Sequence, residues 1–532
     1  MKSPMPGFGQ PEGAASAVRP GSVLGVKIKT GSDRPVSPLR VDMPLVGRLR
    51  ARSAGEVGPS NWTIGCEVLD RDFANFWEYC EYLEPLGIQT VRLQAGWAKC
   101  ERKPGVFDFK WLDDIVDFLV GRGFEIILET SYGNPVHEEA GGWDLSGGIP
   151  STENGLAAWD RWIDELSRHF AGRVKRWAMW NEPDNNRAVN TPEKVAAFNR
   201  RTALAIRRNV PDARLQGLSL GGNDPEYFEA CLKALAATGD VDLFESYIYH
   251  GYELAPERSY PMVEAKKAIL AKYSAKAKLR QGENGAPSEM LDFFALRYTP
   301  WSEYSQAKWD LRRMLGDLGH GVPGSVSTIC DFNHKGREIN RKGLLRADED
   351  HHVIAVKRAY YAVQNLVAVL GGPRSAAATK DGGQAPRATA EISPLQPTPF
   401  CSVDQSLSAY AFNSSNGMTK SRVFAFWSHG RDFVGPELAG NAAGLHAPEP
   451  DNRIMPYLRP GDSFETRPAV FEDFSSGGKP LRDPVWCDLL TGKVFAFPAE
   501  NVIPCRTCVR YLDVPVYDSP CLLCERSALD FA

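Results

Sequence analysis

The strongest constraint on this chain is an alternation. Between Asn61 and Leu370, short apolar runs rich in β-branched and aromatic residues are each followed by a longer amphipathic stretch. The runs are Thr63–Gly65, Thr90–Gln94, Phe124–Glu129, Val174–Trp180, Arg214–Leu220, Leu243–Tyr249, Lys278–Gly282 and Ser325–Cys330. Helical spacing marks Phe73–Leu86, Leu112–Gly121, Gly155–Phe170, Pro192–Asn209, Pro225–Ala237, Val263–Ser274 and Tyr304–Gly316 between them. A last helix is expected over His352–Leu370, where Val353, Val356, Tyr360, Val363 and Val367 recur at helical spacing. Eight strands alternating with helices predict an α/β fold, a (β/α)8 TIM barrel, whose functional groups gather at the C-terminal ends of its strands.

The pattern changes after Leu370. Residues 371–399 are rich in Gly, Pro, Ala and Thr and read as a linker. From Phe400, short runs at Ser408–Phe412, Arg422–Trp427, Lys493–Phe497 and Val509–Val516 alternate with turn clusters, the spacing of a β-sandwich. Residues 1–60 also look extended; they either add strands to the sandwich or strap the barrel bottom. The expected division is thus an N-terminal segment 1–60, a barrel 61–370, a linker 371–399 and a C-terminal β-sandwich 400–532.

Composition narrows the classes of partner. The 532 residues are 43% hydrophobic and 24% charged, ordinary values for a globular chain. Lys and Arg number 62 against 66 Asp and Glu, a formal charge of −4, which gives no reason to expect nucleic acid as a partner. No run approaches the ~20 apolar residues of a membrane-spanning helix; the longest candidate, near Val363–Leu370, is broken by Gln364 and Asn365. Met1–Pro20 does not read as a secretory signal. The 11 cysteines are scattered and odd in number, as in a chain of reduced thiols, so a cytoplasmic location is expected.

The chemistry sits at two strand ends. The fourth run ends in Trp180-Asn181-Glu182-Pro183, placing a carboxyl group on the rim with an amide beside it. The seventh reads Arg280-Gln281-Gly282-Glu283 and places a second carboxyl group three strands further round the ring. Two convergent carboxyl groups are what glycosidic bond cleavage requires: one protonated to donate to the leaving oxygen, one ionised to attack the anomeric carbon. Like-charge repulsion pushes their pKa values apart and supports that division.

These residues resemble the retaining glycoside hydrolases of clan A, nearest to the family 39 type of β-xylosidases and α-L-iduronidases. The resemblance covers about 61–370. It implies that Glu182 is the general acid/base, Glu283 the nucleophile and Asn181 a holder of the sugar 2-hydroxyl. It also implies that Arg92 supports the nucleophile, and that His250 and Tyr252, in a His-x-Tyr segment, bind sugar and orient the nucleophile. Carbohydrate is the implied substrate and no cofactor or metal is needed; the sugar, linkage and oligomeric state stay open. One departure is the segment Cys330-Asp331-Phe332-Asn333-His334, where many members place a tryptophan; Phe332 is the candidate substitute.

Each signal has a plainer reading. Asn-Glu-Pro alone also starts helices, Arg92 could be a rim ion pair, and His250 and Tyr252 could be satisfied polar packing. Glu129 is a rival carboxylate or a sugar ligand. Trp97, Tyr132 and Asn134 follow strands two and three and suit sugar faces and hydroxyls, or else the core; Trp143, Trp301 and Trp309 are candidate subsite walls. A transglycosylase would use the same residues, and a non-catalytic carbohydrate-binding barrel is the alternative outside enzymes. Cys505, Cys508, Cys521 and Cys524 have the spacing of a zinc site, but a strand there would turn Cys521 and Cys524 to opposite faces, which favours buried thiols.

Overall fold

The computed structural model describes residues 39–142, 147–334, 339–371, 400–402, 406–415, 420–429 and 464–532. Residues 1–38, Trp143 and all but the first residue of the expected linker lie outside the described residues.

Eight parallel strands form one sheet: β1 (Trp62–Gly65), β2 (Thr90–Gln94), β3 (Glu125–Glu129), β4 (Arg176–Ala178), β5 (Arg214–Leu220), β6 (Ser246–Tyr249), β7 (Lys278–Gln281) and β8 (Gly324–Val326). Neighbours follow chain order, and β8 returns to pair with β1 through Trp62↔Gly324 and Ile64↔Val326. The seam between β7 and β8 is bridged by the Gln281 N–H on the Pro323 carbonyl (3.0 Å) and by the Ser325 N–H on Gln281 Oε1 (2.7 Å). The result is the nearly closed (β/α)8 barrel that the alternation predicts.

The helices between strands begin where their caps require. Thr152, Thr191 and Asp224 accept backbone N–H bonds at the starts of Glu153–His169, Pro192–Asn209 and Pro225–Ala236. The latter two carry proline in the first turn, where no N–H is needed. Their apolar faces bury Trp159, Trp162, Phe198 and Phe228 against the strands.

Two segments differ from the expected elements. The stretch Phe73–Leu86 forms short pieces, Phe76–Tyr79, Cys80–Tyr82 and Leu83–Leu86. Pro85 lacks the N–H that a continuous helix would bond to residue 81, and its ring crowds that carbonyl. The expected helix from His352 begins at Arg358; before it, Val353–Val356 is a strand paired antiparallel with Leu345–Ala347. The spacing of Val353, Val356 and Tyr360 fits a helix, but β-branched residues beside a pairing partner favour the extended form.

The C-terminal part is built of antiparallel strands in two sheets. One holds Leu45–Arg48, Lys493–Ala496, Pro484–Asp488, Cys521–Glu525, Lys420–Ser428 and Leu407–Ser415, in that spatial order. The other holds Phe400–Ser402, Arg467–Asp473, Val509–Val516 and Val502–Pro504. Phe424, Phe426, Phe471, Trp486, Tyr511 and Leu523 fill the layer between them. Of the two roles open for the N-terminal segment, Leu45–Arg48 takes the first and adds a sheet edge. The sandwich is tied to the barrel by Trp427 Nε1 on Glu257 Oε1 (2.6 Å) and by the buried pair Lys308–Asp518 (2.6 Å).

Candidate active site

Glu182 stands past the end of β4 in the left-handed region, φ 47° and ψ 52°, at the start of the short helix Pro183–Asn186. A non-glycine residue holds that conformation only where its surroundings impose it. Here its N–H is bound to the Ser219 carbonyl (2.8 Å). Gly221 leaves room for the carboxyl group: a Cβ there would stand 2.9 Å from Glu182 Cδ. Asn185 Nδ2 donates to Glu182 Oε2 (2.7 Å), and His250 Nδ1 lies 2.6 Å from Oε1.

Glu283 lies two residues past β7. Arg92 Nη1 donates to its Oε2 at 2.9 Å and the Tyr252 hydroxyl to its Oε1 at 3.0 Å. One donor atom each from Glu182, His250 and Glu283 lies within 4.8 Å of the others. Nearest atoms this close bring both carboxyl groups to one reacting centre, the arrangement of a retaining pair.

Arg92, on β2, is the hub. Its guanidinium holds Glu67 Oε1 (2.9 Å), Glu129 Oε2 (2.7 Å), Glu283 Oε2 (2.9 Å) and Asn181 Oδ1 (2.7 Å). Asn181 donates in turn to the Tyr132 hydroxyl (2.8 Å). One cation therefore serves three acids, and they respond differently. Burial drives Glu67 up to about 7, against the pull of Arg92, with the Glu283 charge adding to the rise. Burial also opposes ionisation of Glu283, yet His250, Arg92 and Lys342 together bring it down to about 2. For His250, burial works against the charged form, but the Glu283 charge and the bond to Glu182 outweigh it and raise its pKa.

Of the residues expected at the site, Glu182, Glu283, Asn181, Arg92, His250, Tyr252 and Tyr132 converge in one network. Trp97 and Asn134 do not join it. Trp97 is fully buried, stacked against Trp162 and edge-on to Trp159, with Nε1 on Glu101 Oε2 (2.5 Å). Asn134 spends its amide on the Glu101 carbonyl (2.8 Å) and the Val136 N–H (3.0 Å). Trp301 and Trp309 are buried in a local cluster with their indoles on backbone carbonyls. Glu129 has no exposed surface and is held by Arg92, Gln94 and Ser131. Phe332 lies beyond β8 and joins a rim cluster in which His334 meets Phe73, Phe294 and Phe332 at 4.7–5.0 Å.

Glu67 and Lys342 were not among the sequence-derived candidates. Glu67 had a usable signal, since it follows β1 by two residues as Glu283 follows β7. Lys342 had none, since it sits in a loop beyond β8.

Among the described residues, Glu182, His250 and Glu283 are the group whose donors converge closely enough to ligate a metal ion. His250 Nδ1 is engaged with Glu182, and Glu283 with a guanidinium that competes for the same oxygen, while His250 Nε2 has no hydrogen-bond partner among the described residues. The four C-terminal cysteines do not converge; Cys521 faces the layer between the sandwich sheets and Cys524 the opposite side.

Residues 72–137 match the model of the family described as Beta-galactosidase (Glyco_hydro_42). The chain is 38% identical over 61 residues to the Beta-galactosidase BgaA of Clostridium cellulovorans, 11% of this chain and 9% of that protein. It is 30% identical over 131 residues to a Beta-1,4-xylanase of Dictyoglomus thermophilum, 24% of this chain and 35% of that protein. The chain thus spans well under half the length of these curated relatives. Among solved structures, it is similar to a family 39 glycoside hydrolase from Bacteroides cellulosilyticus WH2, with TM-score 0.57 and 15% identity over 88% of this chain and 82% of that one. It is also similar to a monomeric beta-xylosidase from Caulobacter crescentus CB15, with TM-score 0.51 and 13% identity over 90% and 97%. At these identities the likeness is one of fold.

Proposed function

We propose that the protein is a retaining glycoside hydrolase that cleaves O-glycosidic bonds by double displacement. The observation that carries this reading is the approach of Glu182 and Glu283 within 4.8 Å on one rim, in unlike settings. Glu283, drawn down to about 2, is ionised and aimed by Arg92 and Tyr252 to attack the anomeric carbon. Glu182, hydrogen-bonded to His250 and Asn185, is placed to protonate the departing oxygen. Glu182 then deprotonates the water that releases the sugar from Glu283. A separation this short supports the covalent route over direct displacement by water, which needs roughly 6.5–9.5 Å between the carboxyl groups.

Carbohydrate is the proposed substrate, and the names of the similar proteins weight the choice toward β-galactosides and β-xylosides. A reducing, cytoplasmic setting is proposed from the free thiols at Cys66, Cys80, Cys100, Cys231 and Cys330, all buried. No helix among the described residues is long and apolar enough to cross a membrane.

The test is nitrophenol release from a panel of aryl glycosides by wild type, Glu182→Ala and Glu283→Ala. Loss in both variants is expected, with azide restoring Glu182→Ala and yielding a glycosyl azide of retained configuration. Variants as active as wild type would refute the two-glutamate assignment.

A further inference from the structure

Lys342 is a buried cation, and among the described residues no acid is bonded to it. Its side chain belongs to the buried set, at 5% exposure, and its Nζ sits 4.2 Å from the centre of the Tyr252 ring. Among the described residues no oxygen lies within hydrogen-bond or ion-pair reach of that nitrogen. An ammonium in such a place costs free energy unless other charges compensate it.

The loop holds this lysine deliberately in place. Lys342 N–H donates to Asn340 Oδ1 (3.2 Å), and its carbonyl accepts from Gln306 Nε2 (3.3 Å). On one side Arg341 is bound to Glu289, Asp331 and the Ala347 carbonyl. On the other, the Gly343 N–H is bound to Asp331 Oδ1 (3.0 Å), so close that a Cβ at 343 would stand 2.0 Å from the Asp331 nitrogen. Among the described residues, Lys342 is thus positioned by its neighbours and not by a salt bridge of its own.

The groups facing it are those of the site. The Tyr252 face lies below it, and the charges acting on it are Glu283 and Glu182; burial, opposed by those two, draws it down to about 8. With His250 and Arg92, it is one of three cations that act on the nucleophile. Arg92 is divided among Glu67, Glu129 and Glu283, and His250 is bonded to Glu182. Lys342 forms no ion pair among the described residues and acts on both glutamates through space.

We propose that Lys342 is a positioning residue for the glycosidase reaction, a fixed cation that acts across Tyr252 on Glu283 and faces Glu182 as well. This rests on the reading of Glu182 and Glu283 given above. Its place suits the charge movement of double displacement. When Glu283 becomes an ester and Glu182 gives up its proton, negative charge passes from the first carboxyl group to the second, and one cation facing both stays compensated throughout.

The experiment is the pH profile of kcat/KM for wild type, Lys342→Met and Lys342→Arg on a glycoside that wild type cleaves. The limbs of that profile report the ionisations of the free enzyme. In Lys342→Met the acidic limb, set by Glu283, moves up by about one pH unit, the size of effect a nearby charge exerts. The alkaline limb moves in the same direction, and Lys342→Arg restores the wild-type profile. A uniform loss of rate with both limbs in place would overturn the proposal, because a merely structural lysine would act that way. Should Lys342→Met fail to fold, Lys342→Gln replaces it under the same criteria. A wild type that cleaves no glycoside would instead overturn the glycosidase reading. The Lys342 contact is then read by carboxyl 13C titration of Glu283, assigned with Glu283→Gln: an upward shift in Lys342→Met supports it and an unchanged titration refutes it.

Discussion

His250 Nδ1 lies 2.6 Å from Glu182 Oε1, so the carboxyl group assigned to proton transfer is held by an imidazole with no exposed surface. Replacing His250 by alanine is expected to lower kcat/KM by about 10- to 100-fold, in the range of a general acid that has lost its orientation. The variant also has a stability signature. His250 is raised in the folded protein, so its stabilising charge is fully present below its ordinary value of 6.5 and is lost as pH rises through the folded value. The deficit in Tm of His250→Ala is therefore largest near pH 6 and shrinks toward pH 9; a deficit that grows over this range would contradict the assignment.

Arg92→Met leaves three acids around one empty centre. Breaking a buried pair by removing one partner costs about 3–5 kcal/mol, which urea unfolding at pH 7 measures directly. Lysine does not restore it, since a single ammonium cannot span Glu67, Glu129, Glu283 and Asn181 as the guanidinium does. A loss within about 1 kcal/mol would mean that these contacts contribute no more than a surface ion pair.

Glu67 imposes a pH dependence of its own. Its folded value is raised from 4.5 to about 7, so between those values the native protein keeps a proton that the unfolded chain has released. Stability then falls as pH rises through that window. Denaturation at a series of pH values should show Glu67→Gln gaining on wild type between pH 4.5 and 8. Glu283 acts with the opposite sign: drawn down to about 2, it supports the fold above 4.5 and loses that support as pH falls toward 2. A difference between Glu67→Gln and wild type that stays constant with pH would sink the assignment.

Trp97 and Tyr132, each just past a barrel strand, are expected to separate cleanly. Trp97→Ala removes a fully buried indole and costs about 3–5 kcal/mol of stability, with KM unchanged in the folded fraction. Tyr132→Phe removes the acceptor of Asn181 Nδ2, with about 1 kcal/mol of stability lost and kcat/KM reduced about tenfold. Steady-state kinetics beside thermal unfolding checks both; a raised KM in Trp97→Ala would place that indole against substrate.

By itself the sequence determined the barrel and the positions of its two glutamates. Strand and helix periods are local properties, and a residue just past a parallel strand must lie on the C-terminal rim wherever the rest of the chain goes. Glu182, Glu283 and Asn181 were legible for that reason, and Arg92 through the family resemblance. Local pattern could not tell a helix from a strand at Val353–Val356, because the partner Leu345–Ala347 decides it. Nor could it separate Trp97 from Tyr132, since both follow a strand and both are buried, and only tertiary contacts put one against Asn181 and the other among indoles. Tertiary structure alone divided Arg92 among three acids, raised Glu67, lowered Glu283 and brought Lys342 over Tyr252. Those outcomes depend on burial and on distances between residues remote in the chain, and desolvation and charge act through space, not along the sequence.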